Sequence, residues 1–481
     1  MTPYIINKLG LQSYGFVSLA SEFINYATLF SIVINSMAGR FITVEYIKGE
    51  LHNAKVFFSS IFFANVILSF FVVVFSIFFL FNIDYFLNIP NNLINDVKIL
   101  FLILILNFIF NNLFSLFSVS TFIKNKIYLD SFRRIESNIL KLLLLIFLFT
   151  YFKPSIIYVG ITTLCAQAYL IIFNIYYTKK YLPEFNLSLI YFDRKSIFIL
   201  IKSGIWNAII KLGQIFLEGL DLLIINIFIG SFAMGQLALA KTIPTLVIML
   251  IGVISSVFLP EFTIYFAKNQ NENLIFSIKK SMKLLSIITC LPIGILTVFG
   301  KDFFLLWVPN QDAALLQNLS IIICFTVVIS GSINSLYEVF TVTNKLKTNA
   351  LIVVLSGILN LLIVYILLKN TTLGIYAIAG VSTLLSILRN LLFTVPYGAK
   401  YLGLRWTTFY PEVLRSIFAF LIVLIIGLIT RNYILAGFTE SWSYLFFSVI
   451  FTLIFGLLFN MFFILDSNER NLLLSKLKIL K

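Results

Sequence analysis

Long runs of apolar residues follow one another through almost the whole chain, with polar residues concentrated in the short stretches between them. Each run is long enough to cross roughly 30 Å of hydrocarbon as an α-helix. Strand-like alternation is absent, and backbone groups in lipid must be hydrogen-bonded within their own segment, so the pattern predicts helices. Thirteen full spans are predicted, at about residues 13–37, 54–81, 97–121, 134–151, 155–177, 200–229, 233–262, 279–300, 314–341, 348–368, 373–396, 413–430 and 442–464.

The composition agrees with a membrane-embedded chain. The 481 residues are 60% hydrophobic and 11% charged, whereas about a quarter of the residues of a soluble domain are charged. The three cysteines, Cys165, Cys290 and Cys324, lie inside apolar runs without paired spacing. We therefore expect them to be buried small hydrophobic residues rather than disulfide partners or metal ligands.

Positive charge is distributed unevenly between the two sides of the predicted spans. With the connection after the first span in the cytoplasm, cytoplasmic segments hold 26 of the 35 Lys and Arg residues, and the opposite side holds six. This asymmetry predicts the topology, with a cytoplasmic C-terminal tail at 466–481. It also explains the net charge of +15 as a loop bias that faces anionic lipid head groups, so no nucleic-acid partner is predicted.

An internal repeat appears when the sequence is shifted by 220 residues. YGFVSLAS (14–21) then aligns with MGQLALAK (234–241), and positions 5–48 give ten identities in 44 without a gap. Six spans separate the copies, so both halves have the same orientation, as in some two-lobed transporters. We predict an N-terminal transmembrane lobe at 1–178, a C-terminal lobe at 198–396 and an additional helix pair at 411–465.

The repeat also predicts that the first helix is mostly missing. The second copy begins with the span 200–229, and the counterpart of that span would end near Leu9. We therefore expect the native start to lie about 20 or more residues upstream of Met1, which is the length of one span.

Seven of the ionisable residues in the predicted spans are interpreted as embedded in the bilayer, where each costs about 2.5–3.5 kcal/mol if it faces lipid. They are Glu22, Lys211, Glu218, Asp221, Lys241, Glu338 and Arg389. Their summed cost would rival the stability of a whole protein, so they are expected to face an interior. Asp221 and Lys241 lie about 12 Å deep on neighbouring antiparallel spans joined by GSFA, so we predict that they pair.

The span 200–229 carries the clearest polar stripe. Its polar residues are Ser203, Asn207, Lys211, Gln214, Glu218 and Asp221, and in a regular helix they fall within an arc of about 80°. Two interpretations remain open. The stripe is either the wall of a water-filled cavity or a set of polar contacts between helices.

Other spans have weaker stripes, for which packing and a transport pathway are equally good interpretations. Glu22, Asn25 and Arg40 share a face of the first span with Ser18 and Ser36. Ser330, Asn334, Tyr337, Glu338 and Thr341 share a face of 314–341, and Ser382, Ser386, Arg389 and Asn390 share one on 373–396. Pro244 and Pro292 predict kinks.

No catalytic motif is found. GILTVFGK (294–301) has five intervening residues where a phosphate-binding loop has four, and Asp302 stands where Ser or Thr would bind magnesium. A transferase would need a larger catalytic loop than any predicted here. The chain is therefore predicted not to be an enzyme.

The chain resembles the Wzx-type polysaccharide flippases, which belong to the superfamily of multidrug, oligosaccharidyl-lipid and polysaccharide exporters. The resemblance is carried by TPYIINKLG (2–10), YGFVSLA (14–20), NSMAGRFIT (35–43), LEGLDLLI (217–224), LALAKTIP (237–244) and PEFT (260–263). It implies an all-α fold of two six-helix lobes around a central cavity, with a further helix pair. The implied activity is outward movement of undecaprenyl-diphosphate-linked oligosaccharide across the bacterial inner membrane, for capsule or lipopolysaccharide synthesis.

The resemblance also implies partners and site residues. Membrane lipid, the polyprenyl-linked oligosaccharide and other polysaccharide-assembly membrane proteins are the expected partners. The cations Arg40, Lys211, Lys241 and Arg389 would meet the diphosphate, and the carboxylates Glu22, Glu218, Asp221 and Glu338 would carry a proton or sodium ion or neutralise those cations. Asn25 and Gln214 would line the same pathway. A cation-coupled multidrug exporter and an accessory membrane protein remain alternatives.

Overall fold

The computed structural model describes residues 2–343, 345–434, 441–467 and 469–470, and every regular element within these ranges is helical. Residues up to Ala240 form α1 (Thr2–Leu9), α2 (Leu11–Ile47), α3 (Leu51–Phe81), α4 (Ile83–Phe86), α5 (Ile94–Phe114), α6 (Val119–Ile123), α7 (Ile127–Tyr151), α8 (Ile157–Tyr181), α9 (Arg194–Gln214), α10 (Asp221–Phe228) and α11 (Ser231–Ala240). Later residues form α12 (Thr242–Ser256), α13 (Leu259–Ala267), α14 (Asn271–Trp307), α15 (Ala313–Val342), α16 (Leu346–Asn370), α17 (Ile375–Arg389), α18 (Val395–Tyr401), α19 (Tyr410–Ile429) and α20 (Trp442–Ile464).

Twelve helical segments within the described ranges are long and apolar enough to cross a membrane. The thirteenth predicted span, 134–151, lies in the 25-residue α7. The first half of α7 carries charges that are paired within the helix, since Arg134 Nε lies 2.7 Å from Asp130 Oδ2 and Arg133 binds Glu136. The guanidinium of Arg133 also lies 4.0 Å from the centre of the Phe173 ring, which stabilises a cation at a membrane interface.

With twelve apolar helical segments of this length in the described ranges, the chain is an all-helical, multi-pass membrane protein, as the sequence predicts.

The chain divides into two compact units, Met1–Ala238 and Leu239–Lys481. In the first unit α2 packs against α3, α5 and α9. Gly204 of α9 makes the last contact close, because a Cβ there would lie 2.2 Å from the Val33 carbonyl oxygen. The internal repeat assigns α9 to the second predicted lobe, whereas α9 packs within the first unit. The predicted division into two lobes and a helix pair therefore stays a prediction.

A buried asparagine network joins three helices of the first unit. Asn35 of α2 exchanges side-chain hydrogen bonds with Asn65 of α3, at 3.2 and 3.0 Å, and donates to Asn112 of α5 at 3.2 Å. Asn65 is fully buried and donates to the Asn112 carbonyl at 3.0 Å. Polar contacts of this kind hold helices together in lipid, where apolar contacts alone give little preference for protein over lipid.

In the second unit α14 packs against α15, α19 and α20, so the predicted additional helix pair lies on α14. Ion pairs from Lys283 Nζ, in the first half of α14, reach Asp466 Oδ2 at 2.6 Å and Glu469 Oε2 at 3.0 Å. In the last two turns of α14, Asp302 lies 3.2 Å from Arg431. Met1 and most of the predicted cytoplasmic tail, 466–481, lie outside the described residues.

Three expectations are corrected. The span 200–229 is not one regular helix, because a π-helical turn at Ile215–Gly219 separates α9 from α10. The span 233–262 breaks at Lys241. Pro244 has no amide hydrogen to donate to the Ala240 carbonyl, as a regular helix would require. This carbonyl instead accepts a hydrogen bond of 2.8 Å from the Ser320 hydroxyl. Cys290 and Cys324 are buried as predicted, whereas Cys165 is exposed because it lies on the outward face of α8.

Candidate functional site

A polar cluster in the first unit forms around Tyr26 of α2. The Tyr26 hydroxyl donates a hydrogen bond of 2.7 Å to the carbonyl oxygen of Gly219. Glu22, one helical turn before Tyr26, accepts a hydrogen bond of 3.2 Å from the Asn25 side chain. Both Glu22 and Asp221 lie near enough to Tyr26 to act electrostatically on its hydroxyl. Three predicted pathway residues, Glu22, Asn25 and Asp221, are thereby brought together with Tyr26, and we call this set the Tyr26 cluster.

The π-helical turn explains how this cluster forms. Its hydrogen bond runs from the Leu220 amide to the Ile215 carbonyl, at 3.0 Å, and the Gly219 carbonyl at the end of this turn accepts from Tyr26. Asp221 then lies in the first turn of α10, where the helix dipole favours a carboxylate, and it is 2% exposed. Single π-helical turns are rare and often occur at functional sites.

The same turn divides the predicted polar stripe. Lys211 is half-buried on α9, whereas Gln214 and Glu218 are exposed and Asp221 is buried. The arc predicted for a regular helix therefore does not extend unchanged from Lys211 to Asp221. The role of these residues as the wall of a pathway stays a prediction.

A second polar cluster lies in the second unit, beside another π-helical turn at Asn390–Thr394. Tyr337 of α15 donates to the Asn390 side-chain oxygen at 2.5 Å and accepts from Arg389 at 3.1 Å. Thr394 donates to the same Asn390 oxygen at 3.1 Å. These contacts fix the orientation of Arg389 and of the fully buried Asn390, and we call this set the Arg389 cluster.

The Arg389 cluster has spare hydrogen-bond donors. Within the described residues, Arg389 Nε and Asn390 Nδ2 are buried atoms without a hydrogen-bond partner, and both atoms can only donate. Buried polar groups are normally satisfied, so the cluster is suited to an acceptor such as a phosphate oxygen or a sugar hydroxyl. Glu338 follows Tyr337 along α15 and is half-buried.

The remaining predicted cations lie apart from the two clusters along the chain. Arg40 is exposed on the last third of α2, and Lys241 is half-buried at the turn between α11 and α12. Sequence reasoning did not select Tyr26 or Gly219 as site residues. Tyr26 could have been found from its position one turn after Glu22 on the same face, whereas nothing in the sequence indicates that the Gly219 carbonyl accepts a side-chain hydrogen bond.

An elongated apolar cavity of about 1180 Å³ lies in the first unit. Its walls come from α2, α3, α5 and the first two turns of α9. They combine aliphatic residues with aromatic ones, which include Phe23, Tyr26, Phe30, Phe71, Phe75 and Phe79. The ring of Tyr26 therefore borders the cavity while its hydroxyl belongs to the Tyr26 cluster.

Comparison with known proteins places this fold among transporters. No family model matches the chain. It is 27% identical over 457 residues to the uncharacterized membrane protein EpsK of Bacillus subtilis (strain 168), covering 93% of this chain and 90% of that protein. The inward closed structure of the lipid II flippase MurJ matches with a TM-score of 0.64 and 16% identity, covering 93% of this chain and 98% of MurJ. An inward-facing multidrug resistance MATE family transporter matches with a TM-score of 0.60 and 15% identity, covering 83% of this chain and 92% of the transporter. The chain therefore shares the fold of these two solved structures.

Proposed function

We propose that the chain is a flippase that moves undecaprenyl-diphosphate-linked oligosaccharide outward across the bacterial cytoplasmic membrane for surface polysaccharide synthesis. The observation that carries the proposal is the extent of the structural match. The lipid II flippase matches 93% of this chain, whereas the inward-facing MATE transporter matches 83%. A larger shared part of the chain favours a lipid-linked substrate over a drug.

The polar clusters supply the chemistry that such a substrate needs. A diphosphate is bound best by charge-assisted hydrogen bonds, and the Arg389 cluster offers a guanidinium and a buried amide with spare donors. Lys211, Lys241 and Arg40 are proposed as further cations along the path. The carboxylates Glu22, Glu218, Asp221 and Glu338 are proposed to carry the coupling proton or sodium ion as the protein alternates between inward and outward access.

A second candidate function is a cation-coupled multidrug exporter. The Tyr26 cluster favours it, because an aromatic ring beside the carboxylates Glu22 and Asp221 suits an organic cation. This candidate shares the fold and the coupling ion with the flippase but needs no polyprenyl chain on its substrate.

The test uses a strain in which the chromosomal gene is deleted and variants are supplied from a plasmid. Arg389→Ala is expected to lower surface polysaccharide by about tenfold or more, the loss that removing one strong charge-assisted contact produces. Lipid-linked oligosaccharide should accumulate on the cytoplasmic side. Arg389→Lys keeps the charge but loses the planar donor arrangement and is expected to give an intermediate level. The matched control is Arg405→Ala, which removes an exposed arginine of the same unit.

Two outcomes contradict the proposal. In one, the deletion strain makes normal surface polysaccharide and shows only increased sensitivity to lipophilic cations, which favours the exporter. In the other, Arg389→Ala and Arg405→Ala behave alike at equal expression, which removes the Arg389 cluster from the substrate path.

A further inference from the structure

We infer that the elongated apolar cavity of the first unit binds the polyisoprenyl chain of the substrate while its head group crosses the membrane. The inference rests on the proposed flippase function and assigns a separate binding site for the lipid part. It is carried by the length of the cavity, by the absence of charge from its walls and by its open side.

The cavity is longer than one leaflet is deep. On α2 its wall runs from Ala20 to Ile34, and on α3 from Ala64 to Phe79, which at 1.5 Å per residue is about 21 Å along each helix. The wall also includes Ile197 in the first turn of α9. This length is about two thirds of a hydrocarbon core of roughly 30 Å.

This length selects among apolar occupants. One leaflet is about 15 Å deep, which is half of the roughly 30 Å hydrocarbon core, so an ordinary phospholipid chain would fill only part of the cavity. The volume of about 1180 Å³ also exceeds the range of about 300–1,000 Å³ that pockets for drug-sized ligands occupy. A polyisoprenyl chain is apolar throughout and long enough to follow the whole cavity.

The walls of the cavity are suited to a polyisoprenyl chain and not to a phosphate-bearing head group. Among the residues lining the cavity only Tyr26 and Ser76 have polar side chains, and none is charged. A phosphate placed there would be buried without a counter-charge, which is costly, whereas hydrocarbon is placed there favourably.

The open side of the cavity gives the chain a route of entry. Phe71 and Phe75 line the cavity, and their side chains are 66% and 72% exposed. A polyisoprenyl chain can therefore enter the cavity laterally, between these rings, without passing through a polar region. Tyr26 connects the cavity with the Tyr26 cluster, since its ring lines the cavity and its hydroxyl belongs to the cluster.

The experiment measures binding of three lipids to the purified full-length protein in detergent by native mass spectrometry. The lipids are undecaprenyl phosphate, farnesyl phosphate and phosphatidylglycerol. Leu68→Trp and Ala27→Trp each fill the cavity from a different helix, so that one remains informative if the other misfolds. Val66→Trp is the matched control, because Val66 lies on α3 outside the cavity and is already 40% exposed.

The wild type should bind undecaprenyl phosphate more tightly than farnesyl phosphate or phosphatidylglycerol. Both cavity variants should lose about tenfold or more in affinity for undecaprenyl phosphate, the effect of excluding two or more methylene groups from an apolar site. Their affinity for farnesyl phosphate and the behaviour of Val66→Trp should stay unchanged. Cavity variants that bind undecaprenyl phosphate like the wild type would overturn the site.

Equal displacement of undecaprenyl phosphate by phosphatidylglycerol would show that an ordinary lipid fills the cavity, which also overturns the inference. A different result would count against the proposed function itself. If the wild type binds neither polyisoprenyl phosphate, the flippase assignment fails and the cavity site fails with it, whereas unaffected cavity variants overturn the cavity site alone.

Discussion

The ion-pair cluster at Lys283 gives a quantitative test of how the segment after α20 is held on the second unit. Lys283 has a side chain that is 5% exposed, and it contacts both Asp466 and Glu469. The Glu469 side chain is 4% exposed, whereas that of Asp466 is 63% exposed. Glu469 is therefore the partner that compensates the buried ammonium, and Asp466 adds a solvent-screened contribution.

The perturbation is the double change Asp466→Asn and Glu469→Gln, which leaves Lys283 buried without a counter-charge. Removing one side of a buried ion pair costs about 3–5 kcal/mol, and we expect a free energy of unfolding lower by about 3 kcal/mol because Lys283 lies close to the end of the helix pair. Adding Lys283→Met to the double variant removes the stranded charge and keeps an unbranched apolar side chain. The triple variant should therefore recover part of the loss.

The assay is unfolding of the purified variants by sodium dodecyl sulfate in mixed micelles, followed by circular dichroism. The expected order of stability is wild type, then the triple variant, then the double variant. Equal stability of the double and triple variants would contradict this expectation, because the uncompensated charge on Lys283 would then have no measurable cost.

Three further predictions use the same unfolding assay. Asn65→Ala should lower the free energy of unfolding by about 1–2 kcal/mol, because it removes bonds from the buried asparagine network; no change would mean that the network is replaced by water. Gly204→Ala should cost about 1–3 kcal/mol, since its Cβ would meet the Val33 carbonyl, whereas Gly252→Ala, which meets nothing within 4 Å, should cost nothing. The hydrogen bond from Lys283 lowers the pKa of Asp466. The stability that this pair adds should therefore be complete above about pH 4 and be lost as the pH falls further. Identical pH profiles of stability for the wild type and a Lys283→Met variant would contradict this.

The helical, multi-pass character of the chain could be predicted because lipid allows few alternatives. Apolar runs of sufficient length, such as 54–81 and 442–464, correspond to α3 and α20 with small differences at their ends. The exception is the span 134–151. There the charged residues of α7 exceed what an apolar helix tolerates, and their pairing within the helix and with the aromatic residues of α8 could not be seen from hydropathy.

One break in a helix was predicted from its covalent cause, at Pro244, whereas Pro292, where a kink is also predicted, lies inside the continuous helix α14. Pro244 removes a donor and clashes with the preceding turn, so a kink follows from the sequence. The π-helical turn at Ile215–Gly219 has no such cause, since it depends on tertiary contacts such as that of Tyr26 with the Gly219 carbonyl. A regular 100° periodicity consequently placed Glu218 and Asp221 on one face, although one is exposed and the other buried.

The candidate site could be predicted only in part, for a related reason. The cost of charge in lipid selected Glu22, Asp221 and Arg389 as interior residues, and each of them belongs to one of the two polar clusters. Hydropathy cannot distinguish an apolar wall that packs from one that lines a cavity. Residues such as Leu68 and Phe75 therefore gave no signal, and the predicted pairing of Asp221 with Lys241 stays a prediction.

Flippase activity can be measured as transport in proteoliposomes that contain only this protein. A fluorescent oligosaccharide linked to undecaprenyl diphosphate is placed in both leaflets, and a membrane-impermeant reductant removes fluorescence from the accessible leaflet. The account predicts that the wild type exposes nearly all of the fluorophore to the reductant, whereas Arg389→Ala leaves about the half in the inner leaflet protected. Protection of half the fluorophore by the wild type, with accumulation of a lipophilic cation in the same vesicles, would contradict the flippase assignment.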